Sequence, residues 1–274
     1  MSAVHPRLAV SMLSMWNWPV EQCVELLREL GVGSLGVFYS TIKQDPEQAA
    51  AAIAAAGLVC SNVTADCAGV SVIAPMDAAG SPALRALKAS IDFAAGQGGV
   101  PCYFCTGPSP ARMPTDDAYD LLIPAMAPLA DYAASVGVTL ALEHNNASLR
   151  DAGFINTLHD CVEFSQATGI GICLELQNCW IERHLPRLFR QNVDRFAVAQ
   201  VSDYLVGETS RLNRRVLGDG SMPIEWLLGL LLDAGYAGMF EIETVGPAIE
   251  QEGYASAVRR SVDWLNERLV KWGV

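Results

Sequence analysis

Three glutamates and one glutamine stand near the ends of short apolar runs in the second half of the chain. They are Glu143 in VTLALEHN (138–145), Glu175 in IGICLEL (170–176), Gln200 in FAVAQVSDY (196–204) and Glu243 in AGMFEIET (237–244). All four carry hard oxygen donors, with no imidazole or thiolate among them. If the side chains converge, three carboxylates repel one another and resist leaving water unless positive charge sits between them. A divalent cation supplies that charge directly, and an all-oxygen set of Glu143, Glu175, Gln200 and Glu243 suits Mn²⁺ or Mg²⁺ better than Zn²⁺. The competing reading is four unrelated polar residues at strand ends, each bonded locally.

Convergence depends on facing, because side chains alternate across a strand. In VTLALE, Leu140 and Leu142 share one face, leaving Thr139, Ala141 and Glu143 on the other. The same parity groups Cys173 with Glu175, Val198 with Gln200 and Ser202, and Glu241 with Glu243. Glu241 therefore lies one layer below Glu243, where it would support it. His144 follows Glu143 directly, so parity turns it away from the metal and toward a supporting or structural role.

The elements that must carry these residues repeat. Eight times a short apolar run precedes an amphipathic helical pattern, the runs beginning near residues 8, 34, 58, 100, 138, 170, 196 and 237. Thr115 reads as the N-cap of the helix over 115–137, and Pro124 and Pro128 read as kinking or dividing it. Strands alternating with helices imply parallel pairing through right-handed crossovers. Eight such units in 274 residues fit an α/β fold of one closed (β/α)₈ TIM barrel, a single domain over 1–274. A doubly wound open sheet is the alternative. In a barrel the C-terminal strand ends form the active face, where all four oxygen donors would meet.

Composition narrows the partners. The chain is 51% hydrophobic with a net charge of −12, which opposes tracking of a nucleic-acid backbone. No apolar run approaches the ~18 residues of a membrane span, and no signal peptide is seen. Eight cysteines without a secretion signal suggest reduced thiols and a cytoplasmic protein. Cys102 and Cys105 match C-x-x-C but fall in a strand pattern, where residues three apart face opposite ways. A small-molecule substrate is the expected partner. Arg214 and Arg215, on the loop after the seventh strand, are placed to grip a polar or anionic substrate, against the alternative of solvated loop charge. Trp16, Trp18 and Trp180 could line an apolar substrate wall or form a subunit contact, which leaves a homo-oligomer open. Lys43 and His184 read as surface residues, and Gly218 with Gly220 is too short a motif for a phosphate loop.

The stretches LALEHN, GICLELQNCW, AQVSDY, RRVLGDGSMPIEWLL and LLDAGYAGMFEIE resemble the sugar phosphate isomerase/epimerase superfamily, the xylose isomerase-like TIM barrels. The resemblance runs over most of the chain and is strongest from about 138 to 245. It implies one divalent metal held by Glu, Asp, His and Glu, positions that fall here on Glu143, Glu175, Gln200 and Glu243. Glu175 thus replaces the usual Asp, and Gln200 the usual His. Asn178 stands where many members place a substrate-touching histidine; it can hydrogen-bond a hydroxyl but cannot exchange a proton near neutral pH. Endonuclease IV shares the fold and looks like a trinuclear zinc enzyme rich in histidine, whereas this chain has His5, His144, His159 and His184 only.

The resemblance implies catalytic roles for Glu143 and Glu243, which would exchange an α-proton on opposite faces of a substrate whose enediolate the metal stabilises. The expected activity is a metal-dependent isomerase or epimerase of a keto-sugar or polyol-like substrate in carbohydrate metabolism. The alternatives are a lyase dehydrating a cyclic keto-polyol of inosose or 3-dehydroshikimate type, and a non-catalytic binding subunit that kept the fold.

Overall fold

The computed structural model describes residues 4–66, 69–74 and 81–274. Eight strands close into a barrel: β1 (Leu8–Ser11), β2 (Ser34–Phe38), β3 (Val59–Thr64), β4 (Cys102–Phe104), β5 (Leu140–Glu143), β6 (Gly171–Glu175), β7 (Phe196–Val201) and β8 (Phe240–Ile242). Every neighbouring pair is parallel, and β8 returns to β1 with Leu8 opposite Phe240. The fold is the eight-stranded α/β TIM barrel expected from the alternating pattern.

Strand parity decides the core. Leu140, Leu142, Ile172, Leu174, Val201 and Ile242 face outward and pack with the helices into one large buried cluster. Tyr103, Ala141, Cys173 and Val198 face inward and form a separate apolar layer within the barrel. Both strand faces are therefore dry, which is why these strands are apolar almost throughout. The inward polar residues sit above that apolar plug. Cys102 packs outward in the large cluster while Cys105 lies beyond the strand near Glu143, so the C-x-x-C pair is split between faces. The eighth cysteine, Cys67, lies outside the described residues.

Two local expectations need correction. The segment Thr115–Ser135 is one continuous helix, so Pro124 and Pro128 do not divide it. The prolines are four apart on the exposed face, and Asp120 and Pro124, whose carbonyls lose a partner, are themselves exposed to water. Thr115 is the first helical residue rather than the cap; extended Pro114 precedes it and makes no side-chain cap bond. Among the described residues no helix is long and apolar enough to cross a membrane.

The loop after β7 has an internal anchor. Asp203 is buried, and its carboxylate accepts backbone N–H bonds from Tyr204 (2.8 Å), Gly218 (3.1 Å), Gly220 (2.9 Å) and Met222 (3.2 Å). Its main chain pairs with that of Arg215 in both directions, at 3.3 and 2.8 Å. A Cβ on Gly220 would stand 2.1 Å from Asp203 Oδ1, so the glycine is what lets the loop close on the carboxylate. The GDG motif thus wraps an internal anion, and the loop it closes carries Arg214 back over the barrel mouth. Replacing Asp203 by alanine leaves four backbone donors without their acceptor, and should cost at least about 2 kcal/mol. Urea unfolding checks this; an unchanged midpoint would show that the loop is held by something else.

Candidate active site

The barrel brings the four oxygen-bearing residues together. Glu143 and Glu175 end β5 and β6, Gln200 is the penultimate residue of β7, and Glu243 follows β8 directly. None is more than 7% exposed. Glu241 lies one layer lower, fully buried, and receives Asn62 Nδ2 and Gln200 Nε2, both at 2.9 Å. A cavity of about 420 Å³ opens above them, with Glu143, Arg214 and Glu243 at its floor and Leu13, Trp16 and Phe38 on its walls.

The positive charge in this cluster is Arg214. Its Nη1 donates to Glu243 Oε1 (2.5 Å) and to the Glu243 carbonyl (2.8 Å), and lies 2.9 Å from Glu175 Oε2. Those two donations use both Nη1 hydrogens, so Glu175 Oε2 is held by charge rather than by an aligned hydrogen bond. Burial works against the guanidinium charge, but Glu175, Glu243 and Glu143 outweigh it and hold the group protonated. The Arg214 main chain is fixed as well, its N–H donating to Val245 O at 2.9 Å.

Each carboxylate has its own environment. Glu143 accepts from Asn145 and Asn178, both at 3.4 Å, and from Cys105 Sγ at 3.5 Å. Burial, then the charge of Glu243, push the Glu143 carboxyl up to about 8, with Arg214 opposing. Burial and Glu243 likewise raise Glu241 to about 8. Glu175 is raised by burial and pulled back by Arg214; its Oε1 accepts the Gln177 N–H at 2.9 Å and Ser202 Oγ at 3.3 Å.

Gln200 is a donor here. Its Nε2 reaches Tyr103 Oη (2.8 Å), Glu241 Oε2 (2.9 Å) and Glu243 Oε2, while its Oε1 accepts from Cys173 Sγ at 3.3 Å. The Glu243 carboxylate, paired with Arg214, orients the amide: reversed, its oxygen would face that carboxylate. Such a glutamine ties Glu241 to Glu243 and offers no lone pair toward Glu175. The residues as arranged therefore do not fit the four-oxygen metal site. Arg214 fills the place between Glu175 and Glu243, and among the described residues no three His, Cys, Asp or Glu side chains are grouped to hold a metal ion.

The remaining candidates separate. Asn178 Nδ2 bridges Glu143 Oε1 and the His144 carbonyl (2.8 Å), so it orients the carboxylate as well as lying beside it. His144 is buried on the far side of the strand end, where neither ring nitrogen has a partner among the described residues; burial pushes it down to about 4 and keeps it neutral. Arg215 turns away, its Nη2 2.6 Å from Glu208 Oε2, because its main chain is committed to Asp203. Trp16 stands on the cavity wall with its indole N–H on Glu250 at 2.9 Å. Trp180 packs against the core, and Trp18 meets Tyr254 edge-on. Lys43 pairs with Asp66 at 2.8 Å and His184 is exposed.

Four contributors lie outside the sequence-derived set. Tyr103 on β4 places its hydroxyl 3.2 Å from Glu243 Oε2. Its inward parity within PCYFC was the available signal. Asn62 on β3 and Asn145 after β5 each donate to a glutamate, and nothing in their spacing marks them. Gly36 on β2 makes room: a Cβ there would fall 1.6 Å from Glu241 Oε1. Gly36→Ala should therefore cost about 1–3 kcal/mol through overpacking and displacement of Glu241. A urea midpoint equal to that of the wild type would mean that Glu241 does not occupy that space.

Residues 24–268 match the family model described as xylose isomerase-like TIM barrel. No curated protein is similar enough in sequence to count as a relative. Solved structures share the fold at low identity. One, described as IOLI protein with a binding zinc atom, is 13% identical with a TM-score of 0.80, covering 97% of this chain and 98% of its own. L-ribulose 3-epimerase is 18% identical, TM-score 0.78, over 97% and 95%. The 3-keto-D-glucoside 4-epimerase of E. coli is 18% identical, TM-score 0.75, over 95% and 99%. With its eight-stranded parallel barrel, its carboxylates at the C-terminal mouth and a family match over nearly its whole length, the chain belongs to the xylose isomerase-like TIM barrel family.

Proposed function

We propose that the protein is an isomerase or epimerase that moves an α-proton on a keto-sugar or polyol-like substrate. The observation that carries this reading is the pairing of Glu143 and Glu243 at the floor of one cavity that Arg214 also lines, its guanidinium held between Glu175 and Glu243. Two similar structures are sugar epimerases, which supports the same class.

In this reading Glu143 takes the proton. Asn145 and Asn178 hold its Oε1, leaving Oε2 beside Cys105 on the cavity side. The α-carbon–hydrogen bond breaks toward that carboxylate, its electron pair forms the carbon–carbon double bond, and the carbonyl electrons pass to oxygen. A cationic donor stabilises that oxygen more in the transition state than in the ground state. Returning the proton from Glu143 to the neighbouring carbon, while the hydroxyl proton on the α-carbon passes to the enediolate oxygen, isomerises the sugar. Protonating the α-carbon from the opposite face by Glu243, after Glu243 has taken a proton from solvent, epimerises it, the proton on Glu143 then returning to solvent. Tyr103 and Gln200 hold Glu243 in position from below.

A second reading places a divalent cation, Mn²⁺ or Mg²⁺, on Glu143, Glu175 and Glu243 with Arg214 withdrawn. The three buried glutamates at the C-terminal ends of β5, β6 and β8 and the zinc in one similar structure favour it. Dehydration is the other outcome open to the same intermediate when a β-hydroxyl leaves.

The test is α-proton exchange in D₂O, followed by NMR, over keto-sugars and keto-cyclitols. Glu143→Gln should lower the exchange rate at least ~100-fold, the scale of general-base catalysis; a rate near wild type would remove Glu143 from the mechanism. The base works as its anion, and burial places the Glu143 pKa at about 8. Deprotonation grows as pH rises, so kcat/KM should climb through about pH 8 and level off above it. A profile falling over that range would contradict the assignment.

A further inference from the structure

We propose that Arg214 is the resident cation of this site, standing where family resemblance places a divalent metal, and that the protein holds its carboxylates together without a metal ion. The catalytic consequence rests on the proton-transfer reading above; the binding consequence does not.

The guanidinium is built in. Arg214 is buried, and one nitrogen contacts Glu243 twice while lying 2.9 Å from Glu175. Its backbone is tied to Val245, and Arg215 beside it is tied through its main chain to Asp203 and through its side chain to Glu208. The loop that carries Arg214 is itself closed on the buried Asp203 carboxylate by four N–H bonds.

The two unusual ligand positions agree with this occupant. Glu175 caps the Gln177 N–H with Oε1 and keeps Oε2 for Arg214. Gln200 points its N–H groups at Glu241 and Glu243 and its oxygen at Cys173, so it satisfies carboxylates where a metal ligand would have to face a cation. A dication among these oxygens would meet the guanidinium at contact distance, and like charges that close in a buried site repel strongly. A guanidinium is charged at every physiological pH and suits carboxylates and developing oxyanions through its planar N–H donors. Because Arg214 also lines the cavity, the same group can receive the enediolate oxygen of a bound substrate.

The experiment compares wild type and Arg214→Ala, both chelator-treated and dialysed, in titrations with Mn²⁺, Mg²⁺ and Zn²⁺ followed by calorimetry and thermal melting. Wild type should bind none of the three at its carboxylates, and its melting point should not move at ~1 mM metal, where a ligand specific to the folded state would raise it. Arg214→Ala should melt several degrees lower and recover part of that loss with Mn²⁺, because the vacated carboxylates then accept a foreign cation. About one equivalent of metal in wild type, with a raised melting point that Glu175→Ala abolishes, would overturn the inference. If Arg214→Ala does not fold, the wild-type titration decides alone: no binding supports the resident arginine and one equivalent defeats it. Lack of α-proton exchange in wild type would remove the catalytic reading while leaving the metal titration to judge Arg214.

Discussion

Four carboxyl groups are buried at one end of this barrel, and the rest of the site follows from how that cost is met. Removing a carboxylate from water is unfavourable by several kcal/mol or more unless it is paired, hydrogen-bonded or neutralised. All three remedies occur. Arg214 pairs with Glu175 and Glu243. Asn62, Asn145, Asn178, Gln200 and Tyr103 supply neutral donors. Glu143 and Glu241, pushed up to about 8, hold their protons at neutral pH. One cation thus serves a cluster that would otherwise carry four negative charges.

That arrangement links distant parts of the fold. Asp203 is far from the chemistry in role, yet its carboxylate closes the loop that delivers Arg214. Gly36, on the other side of the barrel, creates the space for Glu241. Glu241 in turn fixes Gln200, and Gln200 fixes Glu243. A substitution at any of these positions reaches Glu243 through a chain of direct contacts.

Much of this was legible in the residues. Period-two facing predicted that Glu143, Glu175, Gln200 and Glu243 would meet, because in a closed barrel with both strand faces buried an inward polar residue has only the mouth to occupy. The need for positive charge among the carboxylates was equally visible; its source was not. Arg214 lies in a loop, where no strand or helix period fixes direction, and its neighbour Arg215 looked equivalent until the Asp203 pairing sent one inward and the other to Glu208. The orientation of Gln200 was hidden for a similar reason: an amide can donate or accept, and only its neighbours choose. Pro124 and Pro128 do not divide their helix, because both are exposed and the carbonyls they deprive of partners face water, which sequence spacing does not give.

The central claim is that a guanidinium, rather than a metal ion, occupies the space between Glu175 and Glu243. The most direct measurement is a crystal structure of wild type grown with Mn²⁺, with anomalous data collected to reveal any bound manganese. The account predicts Arg214 Nη1 between the two carboxylates and no anomalous peak among them. A peak within ligand distance of Glu143, Glu175 and Glu243, with Arg214 displaced, would contradict it.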